Sequence, residues 1–149
     1  MENTEENITS EDKMLSMLCH LSMIFGGILM SIIIWAIKKE QSKFVRFHSL
    51  QSIFFHLAFS VILAVVIVVF AVIIVLAGVG ISSAKYLHDI SRMSGIIIFI
   101  SIAFLGIITL AAFGGIGYSI YLAVRSYQGE KIKIPILGKI IYEKVYGKN

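Results

Sequence analysis

The chain has 149 residues, enough for one domain, with 58% hydrophobic and only 15% charged residues. A soluble domain carries about 25% charged residues, so an ordinary water-soluble fold is excluded. The net charge of +4 does not point to nucleic acid: the basic residues flank apolar runs, where an anionic leaflet is the simpler partner.

Met1–Lys13 is acidic, with Glu2, Glu5, Glu6, Glu11 and Asp12 against Lys13. That is the reverse of a signal-peptide n-region, and the apolar run behind it is too long for a signal core. Ser10, followed by Glu11 and Asp12, reads as a helix N-cap with acids in the first turn. Three nearly charge-free segments follow, at about 14–37, 53–79 and 95–124. Each exceeds the roughly 20 apolar residues that span the hydrocarbon core. A backbone in lipid must satisfy its own hydrogen bonds, so each is expected to be a helix despite its many Val and Ile residues. The expectation is an all-α integral membrane protein with three transmembrane helices and an amphipathic C-terminal helix.

The first segment holds the single cysteine, Cys19, so no disulfide can form within the chain. Gly26 and Gly27 at its middle permit close helix approach or a bend. Trp35, Lys38 and Lys39 read as anchors at the membrane interface. Lys38–Gln41 is a short turn and Ser42 the next N-cap. Residues 43–52 begin a helix in the interface, with Phe44, Phe47, Leu50 and Phe54 at near-helical spacing. Ile81–Ser94 is an expected loop. On the last segment Ala111, Gly115 and Ser119 form a small-residue face suited to helix packing. Residues 125–149 are a basic tail with six of the thirteen Lys and Arg residues. Residues 130–134 alternate like an extended segment. Pro135 suits a first helical turn, and an amphipathic helix is expected at about 135–146, with Leu137, Ile140, Ile141 and Val145 on its apolar side. The positive-inside rule puts the Lys38–Arg46 segment and the tail in the cytoplasm. Three spans satisfy both, with residues 1–13 outside the cell.

His48, Ser52, His56 and Ser60 recur every four residues and share roughly one helix face. Gln51 and Arg46 lie beside them, and the first segment offers Ser16, His20, Gly27 and Ser31 as a facing set. Intramembrane polar groups face protein or water. The stripe is therefore either hydrogen-bonding between helices or a groove for a partner segment. Arg46 snorkels to lipid phosphate or joins His48 and Gln51 in holding such a segment. On straight helices His20 and His56 would sit about 12 Å apart in depth, too far for one metal ion. No carboxylate lies within the three segments, and no nucleophile elbow, phosphate loop or HExxH is present. No enzyme, cofactor or metal is expected.

Leu18-Cys19-His20-Leu21-Ser22, Ile34-Trp35-Ala36-Ile37-Lys38-Lys39, Ser42-Lys43-Phe44-Val45-Arg46-Phe47-His48 with Gln51, and Pro135-Ile136-Leu137-Gly138 resemble the small bacterial membrane proteins related to the chloroplast Tic-twenty import component. That group includes the magnetosome protein MamF. The resemblance runs from about Asp12 to Gly138, with Phe54 and His56 where Asn and Gln are expected. It implies a helical protein of the inner cell membrane. Together these readings give a non-enzymatic accessory or scaffold subunit that associates with itself or other membrane proteins. The alternative is an oligomeric conduit for an ion, peptide or protein.

Overall fold

A computed structural model describes residues 7–25, 27–82 and 87–147, with side chains described outside 80–93. Among these residues there are helices and no strands: α1 (Ser10–Phe25), α2 (Gly27–Lys38), α3 (Lys43–Ser82), α4 (Leu87–Tyr127) and α5 (Leu137–Tyr146).

The first apolar segment is not one span. It is two helices that fold back on each other at Gly27, whose φ of +57° lies in the left-handed region that glycine enters without steric cost. The Ser22 and Ser31 hydroxyls meet at 2.9 Å. At the other end of the pair, Lys38 Nζ lies 2.6 Å from Glu11 Oε1. The two ends of the 14–37 segment therefore lie together. Among the described residues, α3 and α4 contain the apolar helical stretches long enough to cross a membrane, Lys43–Val79 and Ser94–Tyr127. The count of such helices among the described residues is two rather than the expected three. Hydropathy cannot separate a spanning helix from two antiparallel arms of the same total length, because both are uniformly apolar.

Local signals set the helix ends. The cap of α1 is Thr9 rather than Ser10: Asp12 N–H donates to Thr9 Oγ1 and Thr9 N–H to Asp12 Oδ2, each at 3.1 Å. This is a reciprocal capping box with Asp in the third position. Ser42 caps α3 by accepting from Val45 N–H at 3.2 Å. The expected loop at 81–94 is shorter than read, since α3 runs to Ser82 and α4 begins at Leu87. Its centre, 83–86, lies outside the described residues, as does Gly26.

The chain divides into two units. The first, Met1–Phe59 with Gly115–Asn149, has buried side chains of both kinds. Its apolar clusters are Cys19, Ile34 and Val45, and Phe47, Ile141 and Val145. Its buried polar residues include His20, Ser22, Ser31, His48, Gln51, Ser52, His56 and Ser119. Its exterior carries exposed Phe25, Leu29, Ile33, Ile37, Leu57, Ile120 and Val124. Polar inside and apolar outside is the inverse of a soluble domain, whose buried residues are mainly apolar.

The second unit, Ser60–Gly114, consists of the rest of α3 and the start of α4. None of its described side chains is buried. Phe70 and Phe104 stack with ring centres 3.7 Å apart, beside an open groove of about 290 Å³ lined by Val65, Val66, Val69 and Ile73. Ser101 and Thr109 donate to the carbonyls of Ile97 and Leu105 one turn back in their own helix, both at 2.8 Å.

Candidate functional site

The polar stripe on α3 meets the hairpin around one backbone oxygen. Ser22 Oγ and Ser52 Oγ each lie 2.6 Å from the Cys19 carbonyl oxygen, and Ser31 Oγ lies 2.9 Å from it. Ser31 Oγ is also 2.9 Å from both Ser22 Oγ and Ser52 Oγ. Each hydroxyl has a single proton to donate. The two shortest contacts assign those of Ser22 and Ser52 to the carbonyl, and Ser31 donates within the same group of oxygens. The Ser22 oxygen is then an acceptor for His56 Nε2 at 3.1 Å, which places the His56 ring hydrogen on Nε2. Helices α1, α2 and α3 are thus joined by hydroxyl groups that lipid would leave unsatisfied.

One turn towards the start of α3, His20 Nε2 lies 3.1 Å from His48 Nδ1, and His48 Nε2 lies 3.0 Å from the Glu130 carbonyl. A carbonyl only accepts, so His48 Nε2 carries hydrogen. In the neutral ring its Nδ1 accepts, and His20 Nε2 donates. A directed chain results: His20 to His48 to the tail backbone. Phe44 and Phe47 flank the His48 ring at 4.5 and 5.0 Å, and His20 and His48 are both fully buried. Ser119 of α4 donates to the His20 carbonyl at 2.6 Å, which ties α4 to α1.

Gln51 holds the tail. Its Nε2 donates to the Ile132 carbonyl at 2.9 Å and its Oε1 accepts from Ile134 N–H at 2.7 Å. The side-chain amide serves the extended segment as a neighbouring strand would. With His48 on Glu130, three hydrogen bonds read main-chain atoms at alternate positions 130, 132 and 134. Gly138 then fits where no Cβ could: an added carbon would lie 2.6 Å from Lys133 Cα and 2.7 Å from Gln51 Oε1. Helix α5 lays Gly138, Ile141 and Val145 inward, with Tyr142 and Tyr146 5.7 and 5.9 Å from Phe47. Lys133 and Lys131 sit over those tyrosine rings at 3.6 and 4.5 Å. Ile140, expected on the apolar inward side, is exposed, as is Ile136. Pro135 precedes the helix instead of opening it, and Ile136 takes a φ of +67°.

Other residues that the sequence singles out lie outside this network. Ser60 is exposed and is not part of the polar interior. Arg46 is half-buried. Gly115 is a packing position, where a Cβ would meet Met23 and Phe59 at 3.2 Å. Ala111 is exposed. A Cβ added at Gly27 would meet nothing within 4 Å, so Gly27 serves the turn. Lys39 Nζ lies 4.9 Å above the Trp35 ring. The depth argument that kept His20 and His56 apart fails with the straight helix it assumed, since Ser22, two residues from His20, bonds His56. Among the described residues no three His, Cys, Asp or Glu side chains come together as a metal site. Sequence reasoning missed the Cys19 carbonyl as the acceptor, because a backbone atom has no letter in the sequence. It named Gly138 only within a resemblance.

These features define a class: an all-helical protein with a polar interior, an apolar exterior and two helices of membrane-crossing length. Over residues 11–141 the chain matches the family described as the magnetosome magnetite crystal formation protein family, MamF_MmsF, and it belongs to that family. Searches of curated proteins and of solved structures gave no match. The match concerns the magnetosome side of the resemblance and does not bear on the chloroplast import component.

Proposed function

We propose that the chain is a non-enzymatic, two-span membrane protein with a re-entrant hairpin, acting as an accessory or scaffold subunit of a membrane assembly. Its family suggests that this assembly serves magnetite crystal formation. The observation that carries the reading is the fate of the polar stripe. His48, Gln51, Ser52 and His56 all bond to other parts of the same chain, so they build an internal framework and do not line a lumen. The conduit reading lacks that support. Helices α3 and α4 cross the inner cell membrane. Residues 7–13, the 39–42 turn and the tail lie together on the cytoplasmic side, where Lys39, Lys43, Arg46, Lys139 and Lys144 meet an anionic leaflet. The extracytoplasmic N-terminus that an odd number of spans required is given up.

Single cysteines at Asn7, Gln41 and Lys144 in a Cys19→Ala background test the topology with an impermeant maleimide on right-side-out and inverted vesicles. All three are expected to react from the same side; labelling of Asn7→Cys and Gln41→Cys from opposite sides rejects the hairpin. For the scaffold role, crosslinking and mild-detergent extraction of native membranes should recover the chain with itself or other membrane proteins. A strictly monomeric particle rejects it.

A further inference from the structure

The hairpin is short compared with the helices that follow it. From Lys13 to Phe25 is twelve residues and from Lys38 back to Gly27 is eleven, so each arm reaches about 17–18 Å at 1.5 Å per residue. The hydrocarbon core is about 30 Å thick, so arms of this length end close to its midplane, and neither arm alone crosses it. Around the hairpin's turn the sequence Ile24-Phe25-Gly26-Gly27-Ile28 offers no polar side chain with which to meet a second headgroup layer. Its outer face is Phe25, Leu29, Ile33 and Ile37, exposed by 83%, 67%, 57% and 62%. Its polar groups, His20, Ser22 and Ser31, point inward. The occupant this surface fits is the acyl region of one leaflet, entered from the side where Glu11 pairs with Lys38. With a helix diameter of about 10 Å, the two arms add about 160 Å² to that leaflet. Between Ser60 and Gly114 the described residues belong to α3 and α4 alone.

We propose that the α1–α2 hairpin is a one-leaflet wedge, so that the protein accumulates where the leaflet on the side of its termini is convex. The inference rests on the re-entrant topology proposed above. Insertion that loads one leaflet with apolar volume responds to curvature, and here the inserted element is fixed to two spans by the Cys19 hydroxyl cluster and the Ser119–His20 bond.

The test uses the full chain, labelled with a fluorophore at Lys144→Cys in the Cys19→Ala background. It is reconstituted into surface-tethered phosphatidylcholine–phosphatidylglycerol liposomes of mixed diameter. External trypsin identifies the liposomes whose chains have their tails outside. In these, protein density per membrane area should rise several-fold from the largest to the smallest liposomes. The Leu29→Ala, Ile33→Ala, Ile37→Ala variant removes lipid-facing bulk and breaks none of the described hydrogen bonds, so its density profile should be flatter. Density independent of diameter, with Asn7→Cys and Gln41→Cys still labelled from one side, overturns the wedge and leaves the hairpin standing. Labelling from opposite sides overturns both.

Discussion

The two units solve the same solvent problem in opposite ways. Residues 60–114 place no described side chain in a buried position and satisfy Ser101 and Thr109 within their own helix. The unit formed by 1–59 and 115–149 gathers hydroxyls, imidazoles and an amide from four helices and an extended tail. Lipid tails are as apolar as leucine, so apolar contact between helices gains little over contact with lipid. The second unit stacks Phe70 on Phe104, whereas the first has directional bonds between helices that lipid cannot replace. Specific structure in this chain therefore follows its polar residues, while its apolar residues set where the membrane lies.

The sharpest way to break that comparison is to cut equivalent aromatic rings from each unit. Phe47→Ala opens a fully buried site beneath α5 and should cost about 3–5 kcal/mol, read as a lower unfolding midpoint in detergent. Phe70→Ala removes a stacked but lipid-accessible ring and should cost about 1 kcal/mol. Equal losses would mean that the second unit is as tightly organised as the first. Next in size is Gln51→Leu, which leaves the Ile132 carbonyl and the Ile134 N–H without their partner. The tail can undock and hydrate, which holds the cost to about 2–3 kcal/mol. Faster tryptic cleavage at Lys131 and Lys133 is the expected readout, and unchanged cleavage would show that α5 docks without the amide. Gly138→Ala tests the same dock by crowding, at about 1–3 kcal/mol, with faster amide exchange in α5 as the measurement. The smallest contrast is between two identical changes. Ser52→Ala should cost about 1 kcal/mol because it takes one of the donors from the Cys19 carbonyl. Ser101→Ala should stay within about 0.5 kcal/mol.

How much of this was legible in the sequence differs between the units for the same reason. In residues 60–114 the long apolar runs read directly as helix, but the loop expected at 81–94 is too long, because α3 runs to Ser82 and α4 begins at Leu87. In the other unit His48, Ser52 and His56, spaced by four, are all buried, and residues 130–134, whose pattern alternates, form no helix. The Gly26-Gly27 pair reads equally as a site of close helix approach or as a bend, so the fold-back is hidden. A fold-back brings together residues on either side of the turn, such as Ser22 with Ser31 and Glu11 with Lys38, and such pairing has no periodicity along the chain. Ser60 shows the converse error: it continues the spacing perfectly, but the unit that holds the polar interior ends at Phe59. The tail dock was illegible because Gln51 and His48 bind backbone atoms, and Gly138 carries its information by lacking a side chain.

The Cys19 carbonyl also bears on how the chain is made. Translation delivers α1 and α2 before Ser52 and His56 exist, so the arms emerge with their oxygen cluster half assembled and His20 without His48. An insertase that released the arms at that moment would face a greasy stretch, residues 14–37, long enough to cross outright. Under the re-entrant topology proposed above, biogenesis calls for the arms to be retained near the surface until α3 arrives, which makes the order of synthesis, as much as the finished contacts, a determinant of which side the first residues end on.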